Sequence, residues 1–258
     1  MDLGINDKLA VVTGASSGMG KAAALSLLKE GAKVLIASRN EERLRRASEE
    51  LSNYGEVHFQ VADVTRAEDV HRLFMRSEDL GGADILVVSY GGPRIARFNE
   101  LEDKDWYYAF DLLLMSSVRL SRLFGSRMKE KGWGRIVFIT STAIKEVNMN
   151  IPLSSIVRTS LAGLIKVLSR ELSPEVTVNG IMPGSIMTER QKELLAVKAK
   201  ERGINLEQME AEASSEIPMR RFGRPEEVGD LIAFLSSERA SYISGALIPI
   251  DGGYLKLI

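Results

Sequence analysis

The sequence predicts a single α/β domain, built as a doubly wound parallel sheet with helices on both faces. Three observations predict it. Short, continuous runs of β-branched residues recur along the chain, as strands covered on both faces require. Amphipathic stretches of helical length alternate with them, so successive strands are joined by crossovers rather than hairpins. No proline-rich or Gly/Ser-rich linker and no internal repeat divides the 258 residues, so 1–258 reads as one domain.

Each element has its own signal. Residues 9–13 are a short apolar run that enters a glycine turn, and 21–29 follow as an amphipathic helix. The run 33–37 is a second strand, and 41–51, dense in charge on one face, is the next helix. A third strand at 57–61 leads into a polar helix over about 66–78, and 84–88 is a fourth strand. A long helix is expected over about 103–131, then a fifth strand at 135–140. A helix at 152–172 opens on a proline, which suits a first turn. The strand 176–181, the helix 225–236 (again opening on proline) and the strand 246–250 complete the pattern. Residues 185–216 break it. They are polar and charged, lie between two late strands, and read as a lid-like excursion.

Composition narrows the function classes. With 34 Lys+Arg against 35 Asp+Glu the net charge is -1, which gives no basic field for nucleic acid or an anionic membrane. The absence of cysteine excludes disulfides, thiolate metal sites and cysteine nucleophiles. Two histidines, His58 and His71, leave little scope for a histidine metal site or a Ser/His triad, and both are expected to be structural. The first residues lack the apolar core of a signal peptide, and no apolar run approaches the about 18 residues of a membrane span. The expectation is a soluble, cytoplasmic protein with a small-molecule substrate, no metal, no nucleic-acid partner and no membrane.

The most informative segment is the first strand–helix junction, Thr13-Gly14-Ala15-Ser16-Ser17-Gly18-Met19-Gly20. Gly14 permits a tight turn, Gly18 lets the backbone approach a pyrophosphate, and Gly20 lets the helix pack closely. The helix N-terminus offers unpaired N–H groups and partial positive charge to phosphates. That junction, at this place in an alternating pattern, predicts a Rossmann-type dinucleotide site. An acid at the end of the second strand would bind the ribose hydroxyls of NAD. The chain has Ser38-Arg39 instead, and a guanidinium there grips a 2′-phosphate, so NADP(H) is favoured over NAD(H).

These residues, in this order, resemble the short-chain dehydrogenase/reductase family over essentially the whole chain, and its 3-oxoacyl-(acyl-carrier-protein) reductase branch in the C-terminal third. Asp63-Val64 resembles the pair that holds the adenine. The run Asn179-Gly180-Ile181-Met182-Pro183-Gly184, with Thr188, resembles the segment that seats the nicotinamide. The resemblance further implies that Tyr90 and Gly91, after the fourth strand, line the cofactor ribose, and that a homo-oligomer, dimer or tetramer, forms through the helices 103–131 and 152–172.

The catalytic half of the family pattern is altered. Ser141 matches the family serine, but Ser154 and Arg158 stand where it has Tyr-x-x-x-Lys, and Leu113 stands where it has asparagine. The Asn-Asn-Ala-Gly after strand four has become Val88-Ser89-Tyr90-Gly91. A serine hydroxyl does not ionise near neutral pH without a base beside it, and arginine does not release its proton. Ser154 and Arg158 therefore keep ribose binding and positive charge while losing the usual proton donor. The candidate catalytic set is Ser141, Ser154 and Arg158, with Tyr90, Lys145, Glu146 and Asn148 as candidate substitutes for the missing phenol. Trp106, Tyr107, Tyr108 and Phe110 read as packing or interface residues. The acids Glu207, Glu210, Glu212 and Glu216 read as a solvated helix face. Two functions stand beside each other: an NADP(H)-dependent oxidoreductase with a nonstandard proton relay, and a non-catalytic dinucleotide-binding sensor or partner subunit. A non-redox dehydration or isomerisation is a third, for which no residue argues.

Overall fold

The computed structural model describes residues 2–256. Seven parallel strands form one sheet in the order β3-β2-β1-β4-β5-β6-β7. They are β1 (Leu9–Thr13), β2 (Lys33–Ser38), β3 (Val57–Val61), β4 (Ile85–Val88), β5 (Gly134–Ile139), β6 (Val176–Pro183) and β7 (Leu247–Ile250). The order reverses between β1 and β4, and that reversal opens the crevice at the strand C-termini where such sheets bind ligands.

Alternation along each strand divides the core in two. Val12, Ile36, Val87, Val137 and Ile181 face one layer, with Ala23 and Leu27 of α1 (Gly18–Lys29) and Ile232 of α10 (Pro225–Leu235). Val11, Leu35, Leu86, Phe138 and Val178 face the other. There they meet Leu73 of α3 (Ala67–Asp79), Phe124, and Ile165 of α7 (Pro152–Glu171). The charged helix α2 (Glu41–Leu51) buries only Leu44, Ala47 and Leu51. On the first layer α1 and α10 touch backbone to backbone. A Cβ on Gly229 would lie 2.5 Å from the Ala22 carbonyl oxygen, and the Ser26 hydroxyl donates to Asp230 at 2.9 Å.

The expected helix over 103–131 is one rod with two widened π-type turns. It runs as α4 (Asp103–Phe110), a π turn (Asp111–Met115), α5 (Ser116–Leu120), a second π turn (Ser121–Gly125) and α6 (Ser126–Glu130). Serines account for the loosening. The hydroxyls of Ser116, Ser117 and Ser126 donate to the carbonyls of Leu112, Leu113 and Arg122 at 2.5, 2.7 and 2.8 Å, competing with the backbone ladder. The excursion at 185–216, read from the sequence as lid-like with a solvated helix face, holds two helices, α8 (Glu189–Arg202) and α9 (Leu206–Ser215). They share a small core of Leu195, Ala199 and Met209 separate from the sheet layers. Among the acids there, Glu212 pairs with Arg202 at 2.5 Å. His58 bonds Glu56 at 2.8 Å on the outer strand β3, far in the sheet order from the crevice.

No helix among the described residues is long and apolar enough to cross a membrane, and none of their acids, histidines or cysteines cluster as metal ligands.

Candidate active site

The glycine turn between β1 and α1 is shaped by contacts that leave no room for side chains. Gly14 has φ +60, and a Cβ on it would meet the Ser89 carbonyl oxygen at 2.8 Å. A Cβ on Gly20 would meet the Gly14 carbonyl oxygen at 2.5 Å, so the first turn of α1 folds back against the glycine turn itself. Gly18 has φ +58, and its missing Cβ would sit 3.4 Å from the Thr188 methyl. Thr13 fastens the turn to the end of β4: its hydroxyl donates to the Ser89 carbonyl at 2.7 Å and accepts the Ser89 N–H at 2.9 Å.

The start of α1 is electrically open. Ser17 occupies its N-cap without making a side-chain cap bond, and the first turn carries no acid. Its leading N–H groups are thus available to an anion, with Met19 half-buried beside them. This cradle fits a dinucleotide pyrophosphate. Ser16 lies against Ser38 at 3.0 Å, joining the glycine turn to the end of β2. Arg39 follows at once, exposed, and its Nη1 donates to the Tyr108 hydroxyl at 2.8 Å. The sequence alone reads Tyr108, on α4, as a packing or interface residue. It reaches across 69 positions of sequence to hold the guanidinium instead. No local pattern marks that partnership. Tyr108→Phe is expected to weaken NADPH binding by about three- to tenfold, the worth of one hydrogen bond, and to leave NADH binding unchanged. Parallel fluorescence titrations check this, and equal losses for both nucleotides would remove Tyr108 from the phosphate site.

Asp63 and Val64 lie at the end of β3. Asp63 accepts from both the N–H and the hydroxyl of Thr65, at 3.0 and 2.8 Å, while Val64 is buried. On the far side of the crevice β6 ends at Pro183, and Gly184 backs onto Asp251, whose Cβ would lie 2.8 Å from a side chain there. Asn179, which begins the segment resembling the nicotinamide seat, is spent on structure. It is fully buried, donates to the Ile243 carbonyl at 2.7 Å and accepts the Ala246 N–H at 3.1 Å.

The catalytic candidates meet around one guanidinium. Arg158 is 8% exposed. Its Nε donates to the Ser154 hydroxyl at 2.9 Å, and its Nη1 donates to the Ile139 and Thr140 carbonyls at 3.2 and 3.3 Å. Ser141 is the next residue after Thr140. One side chain therefore ties Ser154 on α7 to the end of β5 where Ser141 sits. The Ser141 hydroxyl accepts the Ala143 N–H at 3.1 Å, so its proton is free to donate to something else. The Tyr90 ring lies under Arg158, with 5.2 Å between guanidinium carbon and ring centroid. Its hydroxyl faces away, toward Ser117 at 3.4 Å. Burial raises the Tyr90 pKa, opposed by the Arg158 charge and the Ser117 contact. Burial lowers that of Arg158, with Tyr90 opposing and the nearby Arg190 charge adding to the fall.

Tyr90 is accordingly the platform beneath Arg158, and its hydroxyl points into the helix layer. Leu113, fully buried, fills the place of the family asparagine. The Asn148 backbone is tied to the Ser155 hydroxyl, its N–H donating at 3.2 Å and its carbonyl accepting at 3.1 Å, and its side-chain oxygen accepts the Asn150 N–H at 3.0 Å. Lys145 is exposed, while one carboxylate oxygen of Glu146 is buried without a partner. Gly91 borders open space.

The fold is a doubly wound α/β sheet whose first strand–helix junction has the form of a dinucleotide cradle. Residues 14–255 match the family model described as enoyl-(acyl carrier protein) reductase. The chain is 35% identical to an uncharacterized oxidoreductase of Bacillus subtilis, YvrD, over 99% of each chain. It is 32% identical to the 3-oxoacyl-(acyl-carrier-protein) reductase FabG of Aquifex aeolicus, covering 98% of this chain and 99% of that one. Among solved structures it is similar to the L-sorbose reductase of Gluconobacter frateurii, determined with NADPH and L-sorbose, with a TM-score of 0.97, 33% identity and full coverage of both chains. The chain belongs to the short-chain dehydrogenase/reductase family of oxidoreductases.

Proposed function

We propose that this protein is an NADP(H)-dependent oxidoreductase that interconverts a carbonyl and an alcohol, using a proton relay built from hydroxyls around Arg158. The observation that carries the reading is the open glycine cradle at α1 with Arg39 held beside it. That the similar L-sorbose reductase was solved with NADPH supports the choice of nucleotide. The first turn of α1 would hold the pyrophosphate, with Ser38 and Arg39 on the 2′-phosphate and Asp63 and Val64 at the adenine. Tyr90, Gly91, Arg158, Pro183, Gly184 and Thr188 would line the nicotinamide half. When bound, the dihydronicotinamide supplies a hydride equivalent to the substrate carbonyl carbon.

The chain's own residues handle the oxygen. Ser141 and Ser154 each accept one hydrogen bond from an N–H group, which polarises their hydroxyls as donors. Both would donate to the carbonyl oxygen, and Arg158 would stabilise the negative charge that grows there. Arg158 holds its proton, so the alkoxide would take one from the Ser154 hydroxyl, and a water would restore it. Helices α8 and α9 are the candidate lid of the crevice, and their separate small core lets them move as a unit. Exposed Tyr107 and Phe110 on α4, with Ile156 and Val167 on α7, support a homo-oligomer through those two touching helices.

The test is nucleotide binding by fluorescence, then a carbonyl screen. Arg39→Ala is expected to weaken NADPH by about 10- to 100-fold, the worth of a charge-assisted bond, with NADH scarcely affected. Binding of neither nucleotide by the natural protein would end the redox reading.

A further inference from the structure

The loop proposed to hold the adenine is tied to two other elements. From α3, Asp69 accepts the Asp63 N–H at 2.9 Å and is itself gripped by Arg72 at 2.6 Å. From α5, across 54 positions of sequence, Arg119 donates through Nη1 to the Thr65 carbonyl at 3.0 Å. Its Nη2 donates to Asp111 at 3.3 Å, and only 20% of the side chain is exposed.

The first π turn of the rod brings Arg119 and Asp111 onto one face. Eight residues of unbroken α-helix would set them about 80° apart around the axis. The turn Asp111–Met115 takes in one extra residue without advancing the rotation, which removes about 100° and leaves about 20° between them. Arg119 points back toward the start of the rod, as helical side chains do, and there it meets both its acid and Thr65.

Thr65 passes the constraint on to Asp63. Its N–H and its hydroxyl both donate to one carboxylate oxygen, Oδ1 of Asp63, at 3.0 and 2.8 Å. The other oxygen, Oδ2, has no hydrogen bond and no ion pair among the described residues, and Asp63 is only half-buried.

We propose that Arg119 is a positioning residue for adenine recognition: by fixing Thr65 it aims the free oxygen of Asp63 at the exocyclic amino group of the base. Each Nη of Arg119 is engaged within the protein, so it acts through Thr65 and Asp63 rather than on the nucleotide. The proposal rests on the reading that seats the adenine at Asp63 and Val64, and different outcomes decide the two. An adenine amino group donates to a carboxylate. Hypoxanthine has a carbonyl oxygen in its place, which cannot donate and which a carboxylate repels.

The experiment titrates the full protein with NADPH and with its hypoxanthine analogue, both followed by nicotinamide fluorescence. The natural protein is expected to prefer NADPH by about tenfold or more, the worth of a hydrogen bond to a charged group. Arg119→Met is expected to bring that preference to within about twofold of one, by loss of NADPH affinity, with the analogue's affinity changing by less than about threefold. Arg119→Lys still carries a donor for the Thr65 carbonyl and is expected to retain a preference of about threefold or more. A preference unchanged by Arg119→Met, or equal losses for both nucleotides, would overturn the inference and leave the adenine reading standing, since Arg119 would then be a brace alone. A natural protein that binds both equally, or neither, would overturn the adenine reading and the inference with it. Should Arg119→Met be too unstable to titrate, Asp111→Asn decides, because it keeps Arg119 and weakens its anchor. A preference lowered by about twofold or more would then uphold the inference, and an unchanged one would overturn it.

Discussion

Gly20→Val is expected to weaken NADPH binding by about a hundredfold or more, roughly 2.7 kcal/mol, in a protein that still folds. The cause is a single distance. The added Cβ would lie 2.5 Å from the Gly14 carbonyl oxygen and 2.9 Å from its carbon, and neither belongs to a flexible side chain that could step aside. Gly14 in turn has the Ser89 backbone against it, so the turn cannot shift outward without breaking the Thr13–Ser89 pair. The remaining response is for the first turn of α1 to tilt away, and the N–H groups proposed to meet the pyrophosphate would tilt with it. Overpacking of this kind costs about 1–3 kcal/mol of stability, a fall in Tm of about 2–4 °C for each kcal/mol in a chain of this length. Titration and a melting curve on the same preparation separate the two losses. An NADPH affinity equal to the natural protein's would show that the phosphates lie elsewhere.

Arg158→Met is expected to split activity from stability. Turnover should fall by about 100- to 1000-fold, because the charge that offsets a developing alkoxide is gone. Stability should change by no more than about 1 kcal/mol. Methionine loses three hydrogen bonds worth about 1 kcal/mol each, but it also removes a buried cation whose desolvation no acid offsets. Steady-state rates and chemical denaturation check the two halves. A large stability loss with little loss of rate would make Arg158 a brace between α7 and β5 and nothing more. Ser154→Tyr with Arg158→Lys probes the converse. If the natural protein turns over and this double variant does not, the hydroxyl relay is the working arrangement. An inactive natural protein made active by the change would be a dinucleotide binder without chemistry.

The cofactor half of the site is legible in the sequence because its constraints are local. A positive φ, a close backbone approach and a helix start all demand particular residues within a few positions, and Gly14, Gly18 and Gly20 supply them. Strands are legible for the same reason, since a strand covered on both faces must be apolar throughout. What stays hidden depends on distant pairs. Tyr108 meets Arg39, Tyr90 lies under Arg158, and Arg190 leans over Gly92, and no local pattern announces any of them. The π turns in the α4–α6 rod are hidden because apolar periodicity survives a small widening, and the serines that loosen it look like ordinary polar positions. Helices α8 and α9 bury only Leu195, Ala199 and Met209, too few apolar residues to set a visible period against so much charge.

The backbone contact between Gly229 and Ala22 has a consequence for the order in which the protein can be made. The proposed cradle for the nucleotide is encoded within the first 20 residues, yet a flank of its helix is covered by a segment more than 200 residues later. On the ribosome, β1, α1 and β2 emerge early with Ala23 and Leu27 lacking their final neighbours, and they wait for nearly the whole chain. A chain stalled before α10 would carry every residue proposed to hold the phosphates and still present an open apolar flank. Such a fragment should be recognised as unfinished by chaperones and proteases rather than released as a small nucleotide-binding domain.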